Sequence, residues 1–555
     1  MDTHAAQAPD VALETHPSRY HHWTLELDGE VARLVLKVQP FGGVKTELEL
    51  KSNSYDLSVD VELADAVQRL RFTHPQVKAL VITSGHEKVF CAGANIYMLA
   101  SSTHPFKVNF CKYTNETRLY LEELSAESGV KTLCAANGAC AGGGYELALA
   151  CDEIALVDDG SSTVSLPEVP LLGVLPGTGG LTRVVDKRKV RRDRADAFST
   201  QAEGVKGKRA LQWGLVDAVI PRSKFEAAIA LRAKALAAAA PQVARGAGVE
   251  LEALEPRVSA TRVDYRFVKL DLVGHARVAT LTVKGPELGG GAQPANEDAA
   301  LAAGSSWWPL RMARELDDAL LRLRFLHGEV GLVLLETRGD HAATWAAGEL
   351  LASMKGTWLG RETRLLLGRV LRRLDLMSKS LFAVCDEQSN FCGPLFELLI
   401  AADRSYLLDQ DGVSCRPGAL SSGLLPTWAG VSRLQGRFQA DAKAPGTVVA
   451  AGAAGALDAG TMDELGLATT FADDLDFAEE LRVAVEERVS LSPDALTGME
   501  ASYRFPGAET MATKIFGRLS AWQNWIFIRP NATGEHGALT VYGKPERPRF
   551  DFRRT

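Results

Sequence analysis

The clearest feature of the chain is a motif of apolar and charged positions that occurs twice. The segment RLRFTHPQVKALVIT at residues 69–83 returns as RLRFLHGEVGLVLLE at residues 322–336. In each copy a charged and apolar start is followed by a short polar stretch and then by a run of β-branched residues and leucine. This order predicts the end of a helix, a turn and a buried strand.

Three further matches follow in the same order and at a nearly constant offset. VFCAGANIYMLA (89–100) is echoed by TWAAGELLASM (344–354), GGGYELALACD (142–152) by GPLFELLIAAD (393–403), and LPEVPLLGVLPGTGG (166–180) by RPGALSSGLLPTWAG (416–430). Strands alternate with helices in both copies, which favours an α/β layered architecture. We therefore predict two similar domains in tandem, residues 21–258 and 259–555. A disordered tail at residues 1–20 precedes them, and helical segments rich in tryptophan end the second.

Composition narrows the class of protein without changing this architecture. The chain has 555 residues, of which 46% are apolar and 24% charged, with a formal net charge of −7. These values are typical of a globular protein of several domains and give no reason to expect nucleic acid as a partner. No apolar run of about 18 residues predicts a membrane span, and the N-terminus does not resemble a signal peptide.

The eight cysteines are dispersed and include no CxxC pair. This usage is typical of free thiols in a reducing compartment, so we expect a cytoplasmic protein. The histidines form no HxxxH spacing either. A metal site is therefore not predicted.

Two glycine-bearing turns in the first copy are candidates for catalysis. One is Phe90-Cys-Ala-Gly-Ala-Asn-Ile96, and the other is Asn137-Gly-Ala-Cys-Ala-Gly-Gly-Gly-Tyr-Glu146, which opens an apolar helix. Small residues let the backbone approach a ligand and present N–H groups, and a helix N-terminus adds the positive end of its dipole. Two such donors converging on one oxygen would make an oxyanion hole, in which one donor contributes roughly 2.7–4 kcal/mol to transition-state stabilisation.

Two glutamates, Glu146 and Glu168, accompany these turns. Two carboxylates in one pocket of low dielectric cannot both ionise easily, so one tends to hold a proton while the other accepts one. Such a pair can serve as acid and base near neutral pH. Alone, Glu146 could instead complement a helix dipole, and Glu168 could be a solvated loop carboxylate. Their occurrence together favours a catalytic pair.

Residues 90–96, 142–147 and 166–180 together resemble the signature of the crotonase (enoyl-CoA hydratase/isomerase) superfamily. The resemblance implies a crotonase-like (ClpP/crotonase) fold in both copies, the second of them degenerate. It also implies an acyl-CoA thioester substrate and no separate cofactor. By the same resemblance, the N–H groups of Ala94 and Gly143 would hold the thioester oxygen, while Glu146 and Glu168 would handle the water and the proton.

Three positions add to this pattern or depart from it. The family's usual aspartate after the first turn is Asn95 here, which is expected to alter the hydrogen bonding beneath that turn. Lys51 is the candidate contact for a CoA phosphate, with a solvated lysine as the alternative. Cys111 lies in a segment that carries variable catalytic groups in relatives, and it is either catalytic or a buried structural cysteine.

The second copy is predicted to be inactive. Gly418 stands in the place of Glu168, Glu349 in that of Ala94, and Pro394 and Leu395 replace two of the helix-opening glycines. Glu397, the counterpart of Glu146, is retained without an evident reason. We therefore expect the second copy to act as a scaffold.

The tandem arrangement and the retained glutamates further resemble the ring-opening lyases of this superfamily. In those enzymes the CoA thioester of an epoxidised benzoate takes up two waters and releases formate and an aliphatic semialdehyde-CoA. Two alternatives stay open. An ordinary enoyl-CoA hydratase or isomerase acting on a linear acyl-CoA would use the same pair, whereas a non-catalytic acyl-CoA-binding scaffold would not need it. Relatives assemble from identical copies, so we expect a homo-oligomer, most simply a homodimer.

Overall fold

The computed structural model describes residues 12–272, 277–290 and 293–555, and the chain divides into two compact units between Leu251 and Glu252. Residues 1–11 of the predicted disordered tail lie outside the described residues. For residues 12–20 the structure corrects that prediction, because Leu13 is buried and the Tyr20 hydroxyl donates a 2.5 Å hydrogen bond to Asp65.

The first unit contains two sheets. Its strands are β1 (Trp23–Asp28), β2 (Val31–Leu36), β3 (Ala79–Ser84), β4 (Val89–Cys91), β5 (Lys131–Ala136), β6 (Ala139–Ala141), β7 (Glu153–Asp158), β8 (Val164–Ser165) and β9 (Ala218–Pro221). The main sheet has the order β1-β2-β3-β5-β7-β9, in which only the β1–β2 pair is antiparallel. Strands β4, β6 and β8 form a small parallel sheet from the segments that follow β3, β5 and β7.

Helices alternate with these strands. They are α1 (Leu57–Phe72), α2 (Ile96–Ser101), α3 (His104–Glu127), α4 (Gly143–Ala150), α5 (Glu168–Leu172), α6 (Gly180–Thr182), α7 (Arg192–Ser199), α8 (Gly207–Gln212) and α9 (Phe225–Ala238). Local capping fixes where the long helices begin, since the side chains of Asp56 and Thr103 accept hydrogen bonds from the first turns of α1 and α3. On one face of the sheet, Val81 and Leu133 pack against Phe225 of α9.

The second unit has a longer main sheet. Its strands are β10 (Arg257–Val258), β11 (Arg262–Asp264), β12 (Val268–Asp271), β13 (Val278–Lys284), β14 (Leu332–Arg338), β15 (Ser380–Cys385), β16 (Phe391–Cys392), β17 (Arg404–Leu408), β18 (Ser414–Arg416), β19 (Leu457–Asp458) and β20 (Thr470–Ala472). The main sheet has the order β10-β11-β12-β13-β14-β15-β17-β20, and β16, β18 and β19 form a small sheet.

Fourteen α-helices complete the part of the second unit that the structure describes. They are α10 (Glu297–Ala303), α11 (Trp308–Phe325), α12 (His341–Ser353), α13 (Trp358–Leu376), α14 (Phe396–Ala401), α15 (Arg433–Arg437), α16 (Ala444–Ala454), α17 (Ala459–Glu464), α18 (Phe477–Ser490), α19 (Pro493–Tyr503), α20 (Met511–Lys514), α21 (Ser520–Ile526), α22 (Pro530–Thr533) and α23 (Ala538–Val541). Phe382 and Tyr406 of the sheet pack against Val485 of α18. Within the described residues, no helix combines the length and apolar character needed to cross a bilayer.

The two units repeat one strand order. In the second unit, β12 pairs antiparallel with β13, and β13-β14-β15-β17-β20 then run parallel, as β1 and β2-β3-β5-β7-β9 do in the first. The units differ after their second parallel strand. In the first unit β3 leads into β4, a turn and the short helix α2, whereas in the second β14 leads directly into the single helix α12. The catalytic turn predicted from the sequence therefore has no counterpart in the described part of the second unit.

Candidate active site

The two glycine-bearing turns of the first unit lie side by side. Gly93 (φ 87°) precedes Ala94 in the turn between β4 and α2, and Gly142 (φ 54°) precedes Gly143, the first residue of α4. A Cβ added at Gly93 would lie 2.7 Å from the backbone nitrogen of Gly143. In the described residues neither the Ala94 nor the Gly143 N–H has a protein acceptor. Two unpaired donors thus lie close together, as an oxyanion hole requires.

Close packing requires glycine at the start of α4. A Cβ added at Gly143 would collide with the hydroxyl of Tyr55 and lie 2.8 Å from ring atom Cζ. At Gly144 it would lie 2.7 Å from the Cβ of Cys91 in β4. The first turn of α4 is therefore pressed against both neighbours, which leaves no room for a side chain at either position.

Glu146 is buried in the first turn of α4. Its Oε1 accepts hydrogen bonds from the backbone N–H groups of Thr178 (2.9 Å) and Gly180 (2.8 Å), and its Oε2 accepts one from the Thr178 hydroxyl. All three partners donate, so both oxygens of this carboxyl group act as acceptors. The side chain is also fixed in one orientation.

Glu168, unlike Glu146, has a carboxyl oxygen that receives no hydrogen bond from the described residues. It is the first residue of α5, follows Pro167, and places its Oε1 2.7 Å from the position that a Cβ on Gly142 would occupy. Its Oε2 is buried and has no hydrogen-bond partner among the described residues. Burial, together with the negative charge of Glu146, raises the pKa of Glu168 to about 7. Burial is the larger cause of the raised pKa. Repulsion between the two carboxylates, on which the prediction from the sequence depended, is the smaller one.

Cys111 lies on α3 and is half-buried. Its Sγ is 3.4 Å from the position of a Cβ added at Gly177, in the same loop whose residues Thr178 and Gly180 bind Glu146. Burial and the charge of Glu146 raise the pKa of the Cys111 thiol to about 11. At neutral pH Cys111 is therefore a neutral thiol beside the site.

The structure thus brings together five of the residues predicted for the site: Glu146, Glu168, Cys111, Ala94 and Gly143. Lys51 lies nearby in the short turn Lys51–Asn53, but its side chain is 69% exposed and pairs with Glu49 at 3.2 Å. Its role as a phosphate contact stays a prediction.

Asn95 supports the first turn from below. Its side-chain oxygen caps α2 by accepting a 2.9 Å hydrogen bond from Met98 N–H, and its Nδ2 donates to the backbone oxygen of Glu49 and to the hydroxyl of Ser54. The amide donates two hydrogen bonds that a carboxylate could not.

Sequence reasoning missed a buried polar cluster behind the turns. Asp60 and Arg118 form an ion pair in which each side chain is 1% exposed, and Thr117 donates a 2.9 Å hydrogen bond to Asp60. Tyr55 packs against this pair, with the Arg118 guanidinium 5.4 Å from its ring centroid. Asp60 and Arg118 are 58 residues apart and no motif marks either one, so the sequence carried no signal for the cluster.

Comparisons with known proteins identify the family of this chain. A family model described as enoyl-CoA hydratase/isomerase matches residues 45–271. The benzoyl-CoA-dihydrodiol lyase of Aromatoleum evansii is 52% identical over 547 residues, which cover 98% of each chain. The chain belongs to the benzoyl-CoA-dihydrodiol lyase family. The predicted resemblance to the crotonase superfamily is confirmed.

Two further similar proteins match only part of the chain. The fatty acid oxidation complex subunit alpha of Shewanella loihica is 39% identical over 148 residues, which cover 26% of this chain and 20% of that protein. A crystal structure of an enoyl-CoA hydratase from Geobacillus kaustophilus HTA426 is 32% identical, covers 40% of this chain and 75% of its own, and has a TM-score of 0.35. Similarity to the benzoyl-CoA-dihydrodiol lyase, by contrast, extends through both units.

In this family member the described part of the second unit lacks the two open turns of the first. Gly393 keeps the positive φ of Gly142 (52°), but Pro394 follows it and has no N–H to donate. Glu349, the counterpart of Ala94, lies inside α12, and its Oε1 accepts a 2.9 Å hydrogen bond from Ala419 N–H. Glu397 is buried and lies 3.7 Å from Arg433. Its counterpart Glu146 instead accepts from the backbone of the loop at residues 178–180.

Proposed function

We propose that this chain opens the ring of a benzoyl-CoA oxidised at ring carbons 2 and 3. In the epoxide form, 2,3-epoxybenzoyl-CoA and two waters would give formic acid and a six-carbon aliphatic semialdehyde-CoA, which conserves every atom. The proposal rests on one observation: two glutamates with different hydrogen-bonding surroundings lie beside two backbone N–H groups that have no acceptor among the described residues. The similarity to the benzoyl-CoA-dihydrodiol lyase along 98% of both chains supports the choice of substrate.

The two backbone N–H groups would stabilise the charge that cleavage creates. Breaking a ring C–C bond leaves electrons that the thioester can accept, with negative charge developing on its carbonyl oxygen. Donors already in place at Ala94 and Gly143 would bind that oxygen more strongly in the transition state than in the ground state. The positive end of the α4 dipole acts in the same direction.

The glutamates would divide the proton transfers between them. Glu146, which only accepts hydrogen bonds, suits the role of the carboxylate that activates water through its less occupied Oε2. Glu168, whose pKa is raised to about 7, suits the acid that protonates the ring oxygen as the ring opens. The neutral Cys111 would orient the ring or donate a proton as an auxiliary acid. No cofactor is required, because the CoA is part of the substrate.

The second unit would be a degenerate crotonase-like domain that serves as a scaffold. Its strand order matches that of the first unit, while Pro394 and Glu349 remove both oxyanion donors. The retained Glu397 then has a structural explanation, because it pairs with buried Arg433. We place catalysis in the first unit alone.

The C-terminal helices would form the contact surface of a homodimer. Residues 499–542 expose many large apolar side chains, among them Phe516 (74%) and Ile528 (76%). The same segment contributes Ile515, Trp522 and Phe527 to the lining of a groove of about 570 Å³. Exposed apolar surface of this extent is typical of a protein–protein contact. Light scattering should give twice the chain mass for the native protein and one chain mass for a Phe516→Asp, Ile528→Asp double variant. Leu475→Asp, which changes an exposed leucine outside residues 499–542, should leave the mass unchanged.

One assay tests the proposed reaction. The protein is incubated separately with 2,3-epoxybenzoyl-CoA and with crotonyl-CoA, and formate and hydrated product are measured. We expect formate from the aromatic substrate in a one-to-one ratio with the semialdehyde-CoA. Hydration of crotonyl-CoA with no formate from the aromatic substrate would assign the chain to ordinary hydratases. Binding of both thioesters without turnover would assign it to non-catalytic scaffolds.

A further inference from the structure

Tyr55 contacts both halves of the proposed oxyanion hole. Its backbone N–H donates a 2.9 Å hydrogen bond to the oxygen of Gly93, and its backbone oxygen accepts a 2.8 Å hydrogen bond from Asn95 N–H. These two bonds bracket Ala94, whose own N–H stays unpaired among the described residues. The first donor is therefore fixed by the backbone of Tyr55.

The ring of Tyr55 reaches the second donor. The Cβ position of Gly143 lies 2.8 Å from Cζ and 3.1 Å from Cε1 of this ring, and closer still to the hydroxyl oxygen. The start of α4 consequently rests against the end of the tyrosine side chain. One residue thus holds Ala94 through its main chain and touches Gly143 through its side chain.

The ring itself cannot move easily. It is 3% exposed, the Phe110 ring lies 6.0 Å away on centroids, and the Arg118 guanidinium lies 5.4 Å from the Tyr55 centroid. Arg118 is in turn held by its buried ion pair with Asp60. Burial raises the pKa of Tyr55 well above its ordinary value, so the hydroxyl stays neutral.

The second unit provides an internal comparison. Arg69 of α1 aligns with Arg322 of α11 in the repeated RLRF motif, so Ala313 stands in the place of Asp60. The unit that lacks both oxyanion donors therefore also lacks the carboxylate that anchors the cluster. A different ion pair joins helices α11 and α13 there, between Asp317 and Arg373 at 2.7 Å.

We propose that Tyr55 is a positioning residue that sets the spacing of the Ala94 and Gly143 N–H groups and thereby the polarisation of the thioester carbonyl. The proposal rests on the proposed function, in which these two groups hold the thioester oxygen. Displacements of about 1 Å at reacting groups can lower rates by about 10²-fold. A shorter side chain at position 55 should therefore weaken the oxyanion hole without removing either donor.

Infrared spectroscopy of bound benzoyl-CoA carrying ¹³C at the thioester carbonyl tests this directly. Benzoyl-CoA lacks the oxidised ring positions, so it should bind without turning over. In the native protein the carbonyl stretch should shift to lower frequency on binding, and Tyr55→Phe should keep that shift because the ring remains. Tyr55→Leu should lose most of the shift and lower kcat about 10–100-fold, with the Kd for benzoyl-CoA changing less than about threefold.

Phe72→Leu is the matched control, since it shortens a fully buried aromatic side chain at the far end of α1. It should lower stability and leave the carbonyl shift unchanged. A full shift in folded Tyr55→Leu would overturn the proposal. Loss of the shift in Tyr55→Phe would overturn it too, by assigning the effect to the hydroxyl. A native protein that binds benzoyl-CoA without any shift would instead contradict the proposed function of the Ala94 and Gly143 turns.

Discussion

The start of α4 and the 3-10 turn Gly393–Leu395 that leads into α14 show how one framework can carry an open site in one unit and a closed one in the other. Each has a glycine of positive φ, Gly142 before α4 and Gly393 in the 3-10 turn. In the first unit the next residue is Gly143, whose N–H has no acceptor among the described residues. In the second it is Pro394, which has none. The glycine that both units share allows the backbone to bend. The residue after it decides whether an N–H group is available to bind a thioester oxygen.

The corresponding glutamates of the two units, Glu146 and Glu397, also differ in their surroundings. Glu146 accepts hydrogen bonds from the loop at residues 178–180, whereas Glu397 lies 3.7 Å from the guanidinium of Arg433. In the first unit the corresponding Arg183 binds Glu122 instead, at 2.9 Å. A buried carboxylate is thus retained in two different settings, bound by a backbone loop in the first unit and beside an arginine in the second.

The largest effect is expected when Glu168 is replaced by glycine, the residue that stands in its place in the second unit as Gly418. Glu168→Gly should lower kcat roughly 10²–10⁴-fold, because it removes the proposed acid. Glu168→Gln, which keeps the shape of the side chain, should lose nearly as much while benzoyl-CoA binding persists. Formate release from 2,3-epoxybenzoyl-CoA measures both variants. Turnover of Glu168→Gln near the native rate would remove Glu168 from the mechanism.

Exchanging the residue after the positive-φ glycine should have the next largest effect. Gly143→Pro deletes one donor and also places ring carbons against Tyr55, so we expect it to lower kcat by at least about 10²–10³-fold. The reverse change in the second unit, Pro394→Gly, should leave kcat unchanged and lower stability by about 0.4–1 kcal/mol through the unfolded chain. Steady-state kinetics and urea unfolding of the two variants test this pair. Lost activity in Pro394→Gly would show that the second unit takes part in catalysis.

These exchanges also show what the sequence could predict. The turns, the two glutamates and the alternation of strands with helices were all predictable, because each depends on residues close together in the chain. The second unit has helix α12 where the first has the turn at Gly93 and α2, and this difference also has a local cause. Leu350 stands in the place of Asn95, which caps α2, and Asp340 caps α12 nearer to β14. The pairing of Glu397 with Arg433 and the cluster behind Tyr55 depend on contacts between distant segments, for which a single sequence gives no pattern.

The pH dependence of the rate should separate the roles of the two carboxylates. The pKa of Glu168 is raised to about 7, so its protonated form predominates below that pH. If this form is the acid, kcat/KM should be constant below about pH 7 and fall about tenfold for each further pH unit. The residual activity of Glu168→Gln should show no such fall. A native rate that rises through pH 7 would make Glu168 the base.

A smaller effect, on stability alone, is expected at Glu397. Glu397→Gln leaves buried Arg433 with less compensation and should lower the free energy of unfolding by about 1–3 kcal/mol, with kcat unchanged. The equivalent change in the first unit, Glu146→Gln, should instead lower kcat by at least about 10²-fold. Urea unfolding followed by circular dichroism, together with formate release, compares the two. Equal losses of activity in both variants would contradict the separation of roles.

The smallest effect on kcat is expected at Cys111. Its pKa of about 11 implies that about one molecule in 10⁴ carries the thiolate at pH 7. Of the eight cysteines, all in the described part of the chain, seven are buried and Cys111 is half-buried, so alkylation of the native protein reports on this residue. Iodoacetamide should react slowly at pH 7 and faster as the pH rises, and Cys111→Ala should lower kcat less than about tenfold. Rapid alkylation at pH 7 would reveal a thiolate, and Cys111 would then act as a base rather than as a neutral group that orients the ring.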